Sequence, residues 1–533
     1  MGLRVGIFAV ALVVGLTGLA PAARAEKEVK IKGRGWGHGL GMSQYGAYGR
    51  ALNGKSSKQI LEHYYKDAGV RKEDIPSKIR VGLLQDRSAI KTKSEPKKDG
   101  SNGKVVFKVQ GSNATIARGN QSDEFRVKGR AGGARIYKNG NRIKKDGKSV
   151  FGDKKHSLVQ VFEKYDSRLV VKGKGAYSYG KAHFVPHACG SDTCLHLVLS
   201  LPMQRYLYGL GEVPASWPQA SLQSQAIAGR TYALAKIESS GQHRITCDCA
   251  VFDSTVDQAY IGDAKRTGSG IYWDDWKHAV NKTKDEVVMY QGAPIEALYS
   301  SSSGGHTENN ENVWGGSPIH YLRGVNDKAD QTEGANPNYR WKLTMPFGTF
   351  SDTLDNAYGT GRVDKFKLVK PFGVSGRVTV VKDSGGGVKI VGSKKTVRAD
   401  GYEIRSVLGL KDSWFRVDII VVVAGGFSAT YESAGGARGP LGSALSGPKA
   451  AETLPDGGSR QRFEGGTIYS DPRGDSFALW GELDLAYREL GEAASTCGYP
   501  TAGQRRTKTG DRATFENGSI AITDAGAVVE CRE

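Results

Sequence analysis

Tyr206-Leu207-Tyr208-Gly209-Leu210-Gly211-Glu212-Val213-Pro214-Ala215-Ser216-Trp217-Pro218 leads into the clearest helical pattern in the chain. Pro218 suits a first helical turn, and alanines and long side chains then dominate to Ile237, before Ser239-Ser240-Gly241 stops the pattern. Glu212 sits just upstream among Gly, Val, Pro and Trp. Apolar neighbours would raise its pKa toward general-acid work near neutrality. A carboxylate that merely stabilises the N-terminus of the next helix explains the same residues. Ser221, Gln225, Gly229 and Tyr232 share one stripe of the helix with Arg230 beside it, a polar face that favours a site.

Upstream, Glu28–Lys32 reads as a short strand, and a glycine-rich loop follows over Gly33–Gly41. Helices are predicted over Met42–Leu52 and Ser57–Tyr65, with Ser57 as a cap of the second. The alternate glycines of Gly35-Trp36-Gly37-His38-Gly39-Leu40-Gly41 would hold Trp36 and His38 on a thin loop, either facing a polar ligand or packed in a tight turn. Gly49–Ser56 spells a phosphate-binding loop, but its first half lies in a predicted helix, so the match is one of letters.

From Ile79 to about Leu201 the texture turns β-rich, with strands predicted at Ile79–Leu83, Val105–Val109 and Leu169–Lys172 and an exposed loop over Lys91–Lys104. Further strands are predicted at Ala297–Ser301, Val378–Val381 and Phe415–Val423. Tyr299–Asn309, running on to Val313-Trp314, gathers hydroxyls, two glycines, His306 and an amide. It reads as sugar or peptide recognition or as a plain serine-rich loop; a Ser-His hydrolase lacks its nucleophile elbow. Ala424–Gly442 looks like a linker. Beyond it, Arg462–Ile468 echoes Ala513–Ile520 and Gly439–Gly442 echoes Ser495–Pro500, with a helix at Phe477–Leu490.

Composition sets the compartment. Arg4, an apolar run over Val5–Leu19 and Ala23-Arg24-Ala25 form a secretory leader pattern, so residues 1–25 are expected to be a cleaved signal peptide with no later membrane span. The chain carries 75 Lys+Arg against 55 Asp+Glu, a formal net charge of +20, and +18 once Arg4 and Arg24 are gone. Such a chain is drawn to polyanions. Export disfavours nucleic acid and points to anionic wall polymers and peptidoglycan. The six cysteines fall in local pairs, 189/194, 247/249 and 497/531, and disulfides are the default outside the cell. Sequence leaves the connectivity open, cross-pairing of the first four included.

Three stretches together resemble the stage II sporulation protein D / amidase-enhancer (SpoIID/LytB) family. They are Glu212-Val213-Pro214 with Trp217-Pro218 and Leu222–Ala233; Ser302-Ser303-Gly304-Gly305 with Thr307-Glu308-Asn309 and Val313-Trp314; and Gly37–Ala47 with Ile60-Leu61 and Tyr64-Tyr65. The last of these opens the region here, where the sporulation members have it last, a permuted order whose pieces are expected to meet in space. Residues after about 430 resemble degenerate LGFP-type repeats. The resemblance implies an α+β fold: a β-rich SpoIID-like domain over residues 26–424 with a central helix carrying the site, a linker at 425–442, and a small repeat domain at 443–533 associated with the cell wall. It also implies a lytic transglycosylase that cleaves MurNAc–GlcNAc strands, with Glu212 as the single general acid and base. Its candidate substrate-binding residues are Gln225, Arg230, Ser302, Ser303, Gly304, His38, Ser43, Gln44 and Tyr45. The amidase-enhancer branch implies the rival function, a non-catalytic peptidoglycan binder that stimulates a cell-wall amidase. No cofactor is expected. Some relatives bind zinc, and His243, Cys247 and Cys249 are weak candidates that fall short of four ligands, so zinc ranks below a disulfide.

Overall fold

Alternation of apolar residues builds the first layer. Ile79, Val81 and Leu83 on one strand and Leu195, Leu197, Leu199 and Leu201 on the next are all buried, as a period of two requires of one sheet face. In the computed structural model, which describes residues 27–97, 101–332, 334–421, 423, 425–445, 451–508 and 510–532, these strands belong to a seven-stranded sheet. Its order is Val251–Phe252, Lys78–Arg87, Asp192–Pro202, Lys181–Cys189, Leu158–Val161, Val105–Val109, Thr115–Gly119. A six-stranded sheet shares its core: Asn141–Arg142, Gly133–Lys138, Glu124–Arg130, Ala89–Pro96, Ser167–Val171, Gly175–Tyr177. Every pairing is antiparallel except Val251–Phe252 on Lys78–Arg87. Phe107, Phe125 and Phe184 meet between the sheets, ring centres 4.7 and 6.1 Å from Phe107.

Residues 91–96, expected in an exposed loop, are a strand. Thr92 and Ser94 are buried while Lys91 and Lys93 face out, so the charged letters record only the wet face. Val378–Val381, expected as a strand, forms no ladder; the Val378 and Val380 N–H groups donate singly to the carbonyls of Ser413 and Asn312.

Helices of this part of the chain include α1 (Gln44–Leu52), α2 (Ser57–Tyr64), α3 (Met203–Tyr208), α4 (Gln219–Ser240), α5 (Asp263–Ser269) and α6 (Trp273–Lys282). Ser43 caps α1, and Ser56 rather than Ser57 caps α2, through a reciprocal capping box with Gln59. The 22 residues of α4 are buried on nearly every side through their first four turns. Leu222, Ala226 and Ala233 enter the sandwich core, whereas Ile227, Ala228 and Tyr232 enter a second core with Ile60, Leu61 and Tyr64 of α2. Alanine and glycine at 226, 228, 229 and 233 let both cores approach the helix closely.

The chain divides into two units. One comprises residues 32–342 and 357–416; the other comprises residues up to 31, 343–356 and 417–533. The second includes a three-stranded sheet, Trp341–Pro346, Lys27–Gly33 and Phe415–Val421, and two four-stranded antiparallel sheets, Ala451–Trp480 and Arg505–Cys531. The supposed linker contributes structure: the helix Ser428–Ser433 puts Tyr431 against Phe463, ring centres 4.9 Å apart, in a core with Phe427, Leu441 and Ile468. Glycine and serine there serve turns. The fold is therefore mixed, with several sheets, dispersed helices and a C-terminal region that has its own cores. Disulfides join Cys189–Cys194, Cys247–Cys249 and Cys497–Cys531, so the cross-paired alternative is not realised. No helix among the described residues is long and apolar enough to cross a membrane, and the expected leader lies outside them.

The sandwich core should behave as one cooperative body. Phe125→Ala removes a fully buried ring and is expected to cost about 3–5 kcal/mol, seen as a lower denaturant midpoint without a change in slope.

Candidate functional site

Glu212 lies between α3 and α4, in a turn closed by glycine. A methyl on Gly211 would come 2.6 Å from Ile261, and one on Gly229 of α4 would come 2.9 Å from Leu210. The turn thus seats against residues 258–262. There the Ala259 N–H donates to the Glu212 carboxylate at 2.7 Å. The Tyr299 hydroxyl and the Gln44 amide donate to the same carboxylate. Behind Tyr299, the Gln258 amide donates to its oxygen at 2.8 Å and to the Gly229 carbonyl at 3.2 Å, and the Tyr206 hydroxyl donates to Gln258 at 2.8 Å. Burial raises the Glu212 pKa above the usual carboxyl range; the three donors and the Lys265 charge oppose that rise. Lys265, on α5, donates to the Val213 carbonyl at 2.5 Å, and burial lowers its pKa to about 8 against the pull of Glu212.

The amino-terminal glycine loop reaches this place from far along the chain. Met42–Ser43 pairs in parallel with Tyr299–Ser300, and Trp36 bridges to Ser302. Gln44 donates to Gln225 of α4 at 3.2 Å. The permuted stretches therefore meet. Trp217 meets the rings of both Tyr45 and Tyr48, centres 5.1 and 5.0 Å away, and all three are half-buried. Trp36 and Trp314 stand 48% and 49% exposed.

Other candidates turn inward. Arg230 is buried and donates to the carbonyls of Glu286 (2.8 Å) and Val280 (3.4 Å), tying α4 to the end of α6 and the next strand. Burial lowers its pKa to about 10. His38 accepts the Leu40 N–H at 3.0 Å on Nδ1, and burial with the Arg405 charge lowers its pKa to about 4, so it stays neutral near pH 7. Ser43 and Ser302 each donate to Asp330 at 2.7 Å, the Gly304 N–H donates to it at 2.8 Å, and Ser303 donates to Asp327 at 2.9 Å. These hydroxyls are buried and serve the frame. Cys247 and Cys249 are bonded to each other, leaving no thiolate beside His243, whose Nδ1 lies 2.6 Å from Asp248.

Sequence reading missed Asp327, Asp330, Lys265 and Gln258, while Tyr299 opens the hydroxyl-rich stretch it singled out. None of the missed residues lies in a recognisable motif; only the acidic spacing Asp327-x-x-Asp330, following the hydroxyl-rich stretch, offered a signal. It also missed Asp86, His187 and His196, whose potential ligand atoms lie within 4.8 Å of one another on the sandwich, with His187 donating or accepting against Asp86 at 2.7 Å.

Comparison with known proteins follows this geometry. Residues 191–290, which contain α3, α4 and Glu212, match the family model described as Stage II sporulation protein (SpoIID). Residues 445–495 match the LGFP repeat. The chain is thus similar to the SpoIID/amidase-enhancer family in one segment and to LGFP repeats in a later one. It is 35% identical over 135 residues to the Amidase enhancer of Bacillus subtilis, covering 25% of this chain and 16% of that one. It is 29% identical over 169 residues to Stage II sporulation protein D of Bacillus amyloliquefaciens, covering 30% and 48%. An uncharacterized protein of Brachyspira hyodysenteriae is 33% identical over 167 residues, covering 31% and 41%. The matched region thus spans half or less of the length of these relatives.

The comparisons overturn the expectation of a glycan-cleaving enzyme. The relative named for a role is an enhancer of an amidase, and none of these is described as a transglycosylase. Three donors, the Ala259 N–H, the Tyr299 hydroxyl and the Gln44 amide, hold the Glu212 carboxylate in place.

The frame makes a pH prediction. Burial, then repulsion from Asp330, raises the Asp327 pKa to about 7, well above its ordinary 3.8. A raised folded-state pKa favours the folded state fully below pH 3.8, and this contribution is lost as pH rises to about 7. The stability of the wild type relative to Asp327→Asn should therefore fall between pH 4 and 7 and level off above, as read by thermal unfolding.

Proposed function

We propose that this chain is a secreted, wall-associated, non-catalytic peptidoglycan binder that enhances an N-acetylmuramoyl-L-alanine amidase. One observation carries the proposal: the segment matching the Stage II sporulation protein model, residues 191–290, includes Trp217, whose ring both Tyr45 and Tyr48 approach beside the Gln44–Gln225–Glu212 cluster, and one relative of the chain is named Amidase enhancer. Half-buried rings give a sugar's C–H face an apolar surface, and a few fixed amide and carboxylate groups next to them orient its hydroxyls. The Gln225 amide nitrogen, Nε2, is buried and has no hydrogen-bond partner among the described residues, and an unmet donor beside the rings suits a polar ligand.

On this reading α4 carries the site. Gln225 and Gln44 contact glycan, whereas Ser43, Ser302, Ser303 and Gly304 hold the loop that presents Tyr45. Residues 26–424 contain the wall-active domain, the LGFP region beyond about 443 adds wall attachment, and residues 1–25 direct export. The net charge of +20 supports attraction to anionic wall polymers.

The test mixes the purified chain with isolated cell walls and an amidase of the producing organism. The chain should pellet with walls, release no soluble fragments alone, and raise the amidase's rate of release. Trp217→Ala should weaken wall binding by about tenfold, roughly 1.4 kcal/mol, and lower the stimulation with it. A chain that neither pellets nor stimulates overturns the proposal.

A further inference from the structure

The segments that hold Glu212 have a second side. Gly209 and Tyr208 at the end of α3, with Tyr260 and Gly262 of the opposing loop, line a cavity of about 330 Å³ that Glu212 does not line. Its other walls come from the sandwich and from α5 and α6. Four cations border it: Lys97, Arg168, Arg205 and Arg266. The one carboxylate in its lining is Asp263, and both oxygens of that group are engaged, accepting the Ser178 N–H at 3.0 Å and its hydroxyl at 2.7 Å. Arg168 is balanced by Glu95, Nε to Oε2 at 2.8 Å. Lys97 feels the charges of Glu163, Asp263 and Asp166, whereas among the described residues no salt bridge joins Arg205 or Arg266 to a carboxylate.

Arg205 is held rather than free to swing. Its guanidinium lies 4.8 Å from the centre of the Tyr179 ring and 5.3 Å from that of Tyr208, and Lys97 lies 5.3 Å from Tyr179 on the same wall. The Tyr208 ring also meets Tyr179 and Trp273 edge to face, at 6.2 and 6.0 Å. A fixed fork of N–H donors is suited to two oxygens of one oxyanion. Beside those cations the cavity also presents the rings of Tyr179 and Trp273, an apolar surface suited to the C–H groups of a sugar ring.

We propose that this cavity binds an anionic saccharide, a sugar ring bearing a phosphate or a carboxylate, with the oxyanion on Arg205 and Arg266 and the ring against Tyr179 and Trp273. The site is distinct from the Trp217 shelf and does not rest on the proposed enhancer function. Its size falls in the range of small-ligand pockets.

Titration calorimetry of the full chain with N-acetylglucosamine 1-phosphate, glucuronic acid, uncharged N-acetylglucosamine and inorganic phosphate tests it. At least one charged sugar should bind saturably, and the uncharged sugar should not. Arg205→Gln should weaken binding by about tenfold or more, the loss of one charge-assisted contact. Arg266→Ala, on the exposed side of α5, should weaken it with the fold intact by circular dichroism. Binding of only the phosphate or only the uronate supports the site and names its anion. The proposal is overturned if neither charged sugar saturates, if inorganic phosphate binds as tightly as the sugar phosphate, or if the folded variants bind like the wild type.

Discussion

Two buried carboxylates set the geometry on which the first unit depends. Asp327 and Asp330 sit three residues apart in sequence and repel each other through a medium with little water. What makes their burial tolerable is the number of donors aimed at them. Tyr64 donates to Asp327 at 2.7 Å, Arg50 stands 3.6 Å from it, and Ser43, Ser302 and the Gly304 N–H surround Asp330. Those donors come from α1, α2 and the 302–304 loop, three places that share no local sequence. Each bond satisfies a group that would otherwise be costly to bury. Gly46, inside α1, is glycine because a side chain there would collide with Tyr64 and Asp327. The acid pair therefore fixes where α1 starts, and so where Gln44 and Tyr45 point.

A second clamp repeats the device with a full ion pair. Arg377 meets Asp412 at 2.8 and 2.9 Å and donates to the carbonyls of Ser303 and His306. Methyls on Gly35 and Gly39 would run into this pair, and both glycines have φ near +76°. The alternate glycines of the amino-terminal loop thus answer a steric demand from residues more than 300 positions away. Sequence reading left open a ligand loop or a packed turn; for Gly35 and Gly39 the packed turn describes the contacts, and for Trp36 exposure leaves the other use available.

Much of the layout was legible because it follows local rules. The helices α1 and α2 and the strand Val105–Val109 appear within two residues of expectation, α4 runs from beside Pro218 to the Ser-Ser-Gly stop, and the period-two strand expected at Ile79–Leu83 is present but extends to Arg87. Misreadings arose where one local signal served another purpose. Lysines marked the wet face of the strand Ala89–Pro96, and Arg230, read beside a polar stripe, satisfies carbonyl groups of α6 and the following strand. The residues missed outright, Gln258, Lys265 and Asp330, act only through partners distant in sequence, and no spacing within a single stretch encodes such a contact.

The C-terminal repeats show how a motif persists when its letters fade. Leu441-Gly442-Ser443 and Cys497-Gly498-Tyr499 share one residue, the glycine, and in both copies its φ is +67°. In the first copy the Tyr431 hydroxyl donates to the Gly442 carbonyl at 2.8 Å; in the second Tyr487 donates to Gly498 at 2.6 Å. Glu464 accepts the Ser443 N–H at 3.0 Å, and Glu516 accepts the Tyr499 N–H at the same distance. Tyr431 lies against Phe463 as Tyr487 lies against Phe515. What recurs is a left-handed glycine whose neighbours' backbone groups are met by one tyrosine and one glutamate, with a phenylalanine closing the core. A side chain at the glycine would be strained by that φ, whereas the flanking positions contribute mainly backbone to these bonds and can vary. The repeat is thus defined by hydrogen-bond partners, and its extent is wider than the residues 445–495 that match by sequence.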